Sequence, residues 1–136
     1  MSFDVFLNFD GDCNEALKFY STVFNLDMPS DTMTYGQAPG FDVPEEEKGR
    51  ILYASLPIFS CNVMFSDCPP GATYIKGTNI VLTLGTSDAE EIVRLFAALK
   101  EGGKVNMELG ETFFSELYGM VTDKFSITWQ LSIAPK

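Results

Sequence analysis

The sequence predicts an α+β fold made of two βαβββ modules that form a curved, open, barrel-like mixed sheet with a central cleft. Three observations predict it. β-forming runs and amphipathic helical stripes follow in the same order in both halves. The halves also match residue against residue at nearly constant shifts. Finally, 136 residues, 46% apolar and 21% charged, suit one domain with one sizeable core. The expected organisation is a single domain, 1–136, with pseudo-repeats over about 1–70 and 75–136.

The first half opens with a β-rich run, Phe3 to Phe9. Asp12 stands where an N-cap belongs, with Glu15 three residues on as capping-box partner. Cys13, Ala16, Leu17, Tyr20, Val23 and Phe24 then recur at helical spacing. Leu26 to Tyr35 is a weaker strand candidate. Residues 36–49, holding Pro39, Gly40, Pro44 and the run Glu45-Glu46-Glu47, read as a solvated loop. Ile51 to Pro57 and Phe59 to Ser66 read as a hairpin, and Asp67-Cys68-Pro69-Pro70-Gly71 breaks regular structure.

The second half restarts in order. Asn79 to Leu84 is a predicted strand. Ser87 with Glu90, or Asp88 with Glu91, caps a helix striped by Ala89, Ile92, Val93, Phe96 and Leu99. Gly102-Gly103 ends it. Strands are expected over Lys104 to Leu109, Glu116 to Thr122 and Ile127 to Ile133. Asp12, Glu15 and Tyr20 fall on Asp88, Glu91 and Phe96, a shift of 76 (88 − 12). Leu52-Tyr53 falls on Leu117-Tyr118, a shift of 65 (118 − 53), and Phe65-Ser66 on Leu131-Ser132, a shift of 66 (132 − 66).

Composition excludes several function classes. Nineteen acidic against nine basic residues give a formal charge of −10, which repels phosphate backbones, so no nucleic-acid partner is expected. No apolar run is long enough to span a bilayer and no secretory leader is evident, so the expected compartment is the cytoplasm, with no membrane partner. Three cysteines lack metal-motif spacing and read as buried small hydrophobes, Cys61 and Cys68 having no obvious cationic neighbour. The chain has no histidine, which removes the usual neutral-pH acid/base and the commonest metal ligand together. No glycine-rich phosphate loop is present, nor a loop for a methyl-donor cofactor.

Several stretches then carry a family pattern: FLNFDGDCNEALKFYSTVF, VMFSDCPPG and KVNMELGETFFSELYGMVTDKFSITWQLSI. They resemble the PhnB-like family of the vicinal-oxygen-chelate superfamily, which includes glyoxalase I, extradiol dioxygenases and bleomycin and fosfomycin resistance proteins. The resemblance covers nearly the whole chain. It departs at Phe114, where members typically show Trp, and at Ser126-Ile127-Thr128-Trp129, where they usually show Gly-x-Pro-Trp.

Metal enzymes of that superfamily set one ligand, usually His or Glu, on each of four strands. Carried over by motif, the ligand positions fall on Val5, Met64, Asn79 and Gln130. Val5 cannot coordinate, Met64 is a soft thioether, and the two amides are neutral. The resemblance therefore implies no metal site and no cofactor. It implies instead a pocket for an unknown small molecule, bordered by Asn79 and Gln130 and lined by Val5, Met64, Tyr53, Phe114, Tyr118 and Trp129. Glu111 is a weak candidate for a catalytic base, and Asp123-Lys124 resembles a structural turn before the last strand. A homodimer is implied by resemblance alone. The leading expectation is a metal-independent small-molecule binding protein. The alternatives are a glyoxalase-like metal-dependent lyase, isomerase or dioxygenase, and a dimeric interaction module with a vestigial pocket.

Overall fold

The chain divides into two compact units, Met1–Ile75 and Lys76–Lys136, and the computed structural model describes residues 1–134. The first unit runs β1 (Val5–Phe9), α1 (Cys13–Val23), β2 (Met33–Thr34), β3 (Ile51–Ile58) and β4 (Cys61–Asp67). Its strands form one mixed sheet in the order β1-β4-β3-β2, with β1 parallel to β4 and the other pairs antiparallel. The stripe read from the sequence is the buried face of α1: Cys13, Ala16, Leu17 and Tyr20 are inaccessible to solvent. Tyr20 packs on Phe65 at 5.8 Å between ring centroids, and Phe65 stacks on Phe9 at 6.1 Å. Each such large side chain contributes roughly 1.5–3 kcal/mol by leaving water.

Two expectations change here. Asp12 occupies the N-cap of α1 but its side chain makes no capping bond. The first helical N–H is met from β4, where the buried Asp67 Oδ1 accepts from Cys13 N–H (3.1 Å) and also from Gly11 N–H (2.7 Å) just before the cap. Its Oδ2 accepts from Ile51 N–H (2.8 Å), so one carboxylate ties the helix start to β3. The strand expected over Leu26 to Tyr35 shrinks to Met33–Thr34. Pro29 cannot donate to a ladder, and Asp31 instead binds Ser55 of β3 through its side chain.

The second unit runs β5 (Leu82–Thr86), α2 (Ala89–Lys100), β6 (Lys104–Gly110), β7 (Tyr118–Thr122) and β8 (Thr128–Ile133), with sheet order β5-β8-β7-β6. Asp88 is the cap of α2, its Oδ1 accepting from Glu90 N–H (3.0 Å) and Glu91 N–H (3.3 Å). The buried stripe is Ile92, Leu95, Phe96 and Leu99, while Val93 is 53% exposed, so Leu95 takes the place expected for Val93. Gly119 on β7 lets α2 come close: a Cβ there would lie 2.8 Å from Leu109 Cδ2 and 3.0 Å from Phe96 Cε2.

The two units repeat each other strand for strand. Ser55 pairs with Met64 in the first and Met120 with Gln130 in the second. The shifts are 65 (120 − 55) and 66 (130 − 64), the values read from the sequence. Among the described residues, no helix is long and apolar enough to cross a membrane.

Candidate functional site

In the second unit, Leu84, Val121, Trp129 and Leu131 are buried on the α2 side. Strand alternation therefore puts Thr83, Gln130, Tyr118 and Met120 on the opposite, open face. The register sets Thr83, Gln130, Met120 and Met107 in one row across all four strands. One hydrogen bond joins this row to its neighbour and a second runs within it. Tyr118 Oη donates to Gln130 Oε1 at 2.6 Å, and Gln130 Nε2 donates to Thr83 Oγ1 at 2.7 Å. A second polar chain runs alongside, where Thr122 Oγ1 donates to Asn106 Oδ1 (2.9 Å) and lies 2.9 Å from Thr128 Oγ1. Phe114 stands edge-on to the Tyr118 ring at 5.1 Å, with Phe113 edge-on to Phe114 at 5.2 Å. The result is an uncharged amide–hydroxyl patch beside aromatic edges.

The first unit presents the matching row Phe6, Met64 and Ser55. Phe6 is 46% exposed and Met64 half-buried. Ser55 is fixed by Asp31, which accepts from its N–H (3.1 Å) and its hydroxyl.

Of the residues expected from the sequence, Gln130, Tyr118 and Phe114 come together. Met64 holds the place in its unit that Gln130 holds in the other. Val5 does not join it: Val5 pairs with Val63, which is buried, and the partner of Met64 is Phe6. A slip of one residue along a strand moves a side chain to the other face. Asn79 lies in the exposed segment before β5, which begins three residues later, and the strand partner of Gln130 is Thr83. Trp129 is 2% exposed and its indole N–H donates to Asp123 Oδ2 at 2.9 Å, which puts it in the core rather than on the open face. Asp123 itself is buried, and its Oδ1 accepts from Phe125 N–H (2.8 Å) and Ile127 N–H (3.1 Å), holding the turn into β8. Tyr53 is half-buried on β3, two residues from Ser55 and so on the same face. Glu111 is exposed just past the end of β6.

Sequence reasoning missed Thr83, and it set Val5 at the strand position that Phe6 holds. The constant offset between the halves was the available signal, since it can be extended from β4 and β8 to their parallel neighbours. It also missed the setting of Cys68. Arg50 bonds the Cys68 carbonyl through Nε (3.1 Å) and Nη2 (2.7 Å), and its Nη2 lies 3.5 Å from Cys68 Sγ. The cation is shared with Asp10 (2.7 Å), to which Cys68 Sγ also donates at 3.4 Å. Burial, then the bond to Asp10, push the thiol above its ordinary range despite Arg50, so a cationic neighbour is present without activating it. Burial pushes the Cys13 thiol further up, with Asp67 and Asp12 adding to it.

A model of the Glyoxalase/Bleomycin resistance protein/Dioxygenase superfamily matches residues 2–131. The chain belongs to that superfamily. Protein YjdN of Escherichia coli (strain K12) is 27% identical over 147 residues, spanning 98% of this chain and 95% of that protein. Protein PA1353 from Pseudomonas aeruginosa superposes with a TM-score of 0.87 at 31% identity, covering 98% of each chain. The PhnB protein from Bacillus cereus superposes with a TM-score of 0.81 at 26% identity, over 98% of this chain and 100% of that one. PhnB-like proteins are thus among its structural neighbours.

For metal-dependent members of this superfamily, the resemblance implies a metal donor on each parallel strand of each unit. The open-face residues there are Phe6 and Met64 in the first unit and Thr83 and Gln130 in the second. A phenyl ring, a thioether, a hydroxyl and an amide offer no anionic donor, so they do not fit a catalytic divalent ion. Among the described residues, no group of three or more His, Cys, Asp or Glu side chains is placed to hold one.

Proposed function

We propose that this superfamily member is a small-molecule binding protein that works without a divalent metal, its ligand lying against Gln130, Tyr118, Thr83 and Phe114. One observation carries the reading: the Gln130 amide, on a strand that supplies a metal ligand in metal-dependent relatives, is engaged at both ends by neutral partners. An amide between a phenol and a hydroxyl brings no charge to balance a dication, but it can meet the polar edge of an uncharged molecule. The edge-on pair Phe114 and Tyr118 offers apolar contact to a flat ring. A chain of net charge −10 also disfavours anionic ligands at long range.

The test has two arms. Thermal melts with Ni, Zn, Mn or Mg should leave the melting point unchanged, because an ion bound to the native state would raise it by linkage. A screen of uncharged aromatic compounds should give stabilising hits that Gln130→Leu abolishes. The variant's own melting point should stay within roughly 4 °C of wild type, since only half-exposed hydrogen bonds are removed. A tightly held stoichiometric metal would overturn the reading. We also propose that two copies associate, because Phe113 (93% exposed) and Ile80 (73%) leave apolar surface for a second copy to cover. Light scattering after gel filtration measures this.

A further inference from the structure

Resting on the reading that Gln130 faces a small-molecule ligand, we infer that this ligand presents an uncharged edge with one hydrogen-bond donor beside one acceptor, carried on a flat ring. Carboxamides, lactams and pyridones have such an edge. Three side chains share a fixed number of hydrogens. Tyr118 has a single O–H, and it is spent on Gln130 Oε1. Its oxygen therefore turns only lone pairs outward. At the far end Thr83 Oγ1 accepts from Gln130 Nε2, and Thr83 is exposed. Its own hydroxyl hydrogen makes no side-chain bond among the described residues, so this end is a donor. The second N–H of Gln130 is a further donor between them.

Rotating the amide by half a turn reverses the chain. Thr83 then donates to Oε1, Nε2 donates to Tyr118 Oη, and the phenol hydrogen becomes the free one. In both arrangements one end gives and the other accepts. A ligand offering only acceptors, as a carboxylate or phosphate does, leaves the accepting end facing a lone pair. An ammonium, which only donates, leaves the Thr83 hydroxyl hydrogen and the second Gln130 N–H without an acceptor. A ligand with both groups satisfies the two ends whichever way the amide lies. The ring that bears them would rest near Phe114, whose side chain is 40% exposed.

The test uses three probes of similar size on isotope-labelled protein: benzamide (donor and acceptor), acetophenone (acceptor only) and aniline (mainly donor). Backbone amide shifts of Thr83, Tyr118 and Gln130 report binding. Benzamide should bind about tenfold tighter than either of the others, the worth of one additional satisfied hydrogen bond. In Gln130→Glu the carboxylate accepts from both Tyr118 and Thr83, so both ends turn lone pairs outward. Benzamide should then lose its advantage and fall to the affinity of aniline. Equal binding of benzamide and acceptor-only acetophenone to wild type would overturn the donor–acceptor requirement while leaving a binding site in place. An unchanged benzamide-to-aniline ratio in a folded Gln130→Glu variant would overturn the hydrogen accounting; if that variant does not fold, the wild-type comparison decides. If no probe moves these resonances, the site itself fails, and the inference with it.

Discussion

Replacing Asp123 with Asn changes one atom in a buried carboxylate, and the structure sets the size of the effect. Asp123 is 3% exposed; Oδ1 accepts from Phe125 and Ile127 N–H, and Oδ2 from the Trp129 indole N–H at 2.9 Å. If the new amide keeps its oxygen toward the two backbone donors, its NH2 group faces the indole N–H and two donors oppose each other. One charge-assisted bond is lost, worth about 1.5–3 kcal/mol, and two more weaken as the acceptor loses its charge. The expected loss is about 2–4 kcal/mol, a large share of the 5–15 kcal/mol typical of a domain. Trp129 is the only tryptophan, so its emission during urea unfolding reports from the place where the bond was lost. Far-UV circular dichroism, followed in parallel, shows whether the two units unfold together. In a Trp129→Phe background the indole donor is already gone, and Asp123→Asn should cost about 1–2 kcal/mol less. A loss below about 1 kcal/mol in the wild-type background, or strict additivity with Trp129→Phe, would refute this reasoning.

Three further outcomes follow from the same geometry. Asp88→Ala should destabilise by about 1 kcal/mol and Asp12→Ala by only a few tenths, because Asp88 caps α2 and Asp12 caps nothing, as read by urea midpoints. Gly119→Ala should cost about 1–3 kcal/mol through overlap with Leu109 and Phe96; an unchanged midpoint would mean that α2 can withdraw from β7 freely. Asp10→Asn should speed alkylation of Cys68 several-fold at neutral pH, followed by peptide mass spectrometry, since it removes the carboxylate that helps hold the thiol protonated. The same variant has a pH signature. The bonds from Arg50 and Cys68 hold the Asp10 carboxyl below its ordinary range. Its contribution is therefore full above roughly pH 4 and fades as the pH falls through the lowered value. The gap in melting point between wild type and Asp10→Asn should close on acidification.

What could be read in advance depended on how local the cause was. The correspondence of Met64 with Gln130 was legible because the hairpins β3–β4 and β7–β8 have nearly equal lengths, so one offset serves both. Val5 was set where Phe6 stands because both residues are apolar β-formers, and only the pairing with β4 decides which one shares a face with Met64. Asn79 looked like the head of a strand because Ile80, Val81 and Leu82 are β-formers. The ladder begins only at Leu82, however, and Ile80 is 73% exposed. Trp129 looked available to a ligand until its indole met Asp123, six residues back. The cap on α1 lay beyond any local rule: Asp12 has the right chemistry and position, yet the donors go to Asp67, 54 residues from Cys13. Arg50 reaches Cys68 across 18 residues, through folding alone.

The paired rows Phe6–Met64 and Thr83–Gln130 have one further consequence. Each sits on the side of its sheet turned away from the helix, so the burial that drives folding depends little on what these positions carry. A doubled scaffold of this kind gives evolution two nearly independent drafts of one surface. Here one draft has become greasy and the other wettable, and a substitution in either is tried at small risk to the architecture beneath.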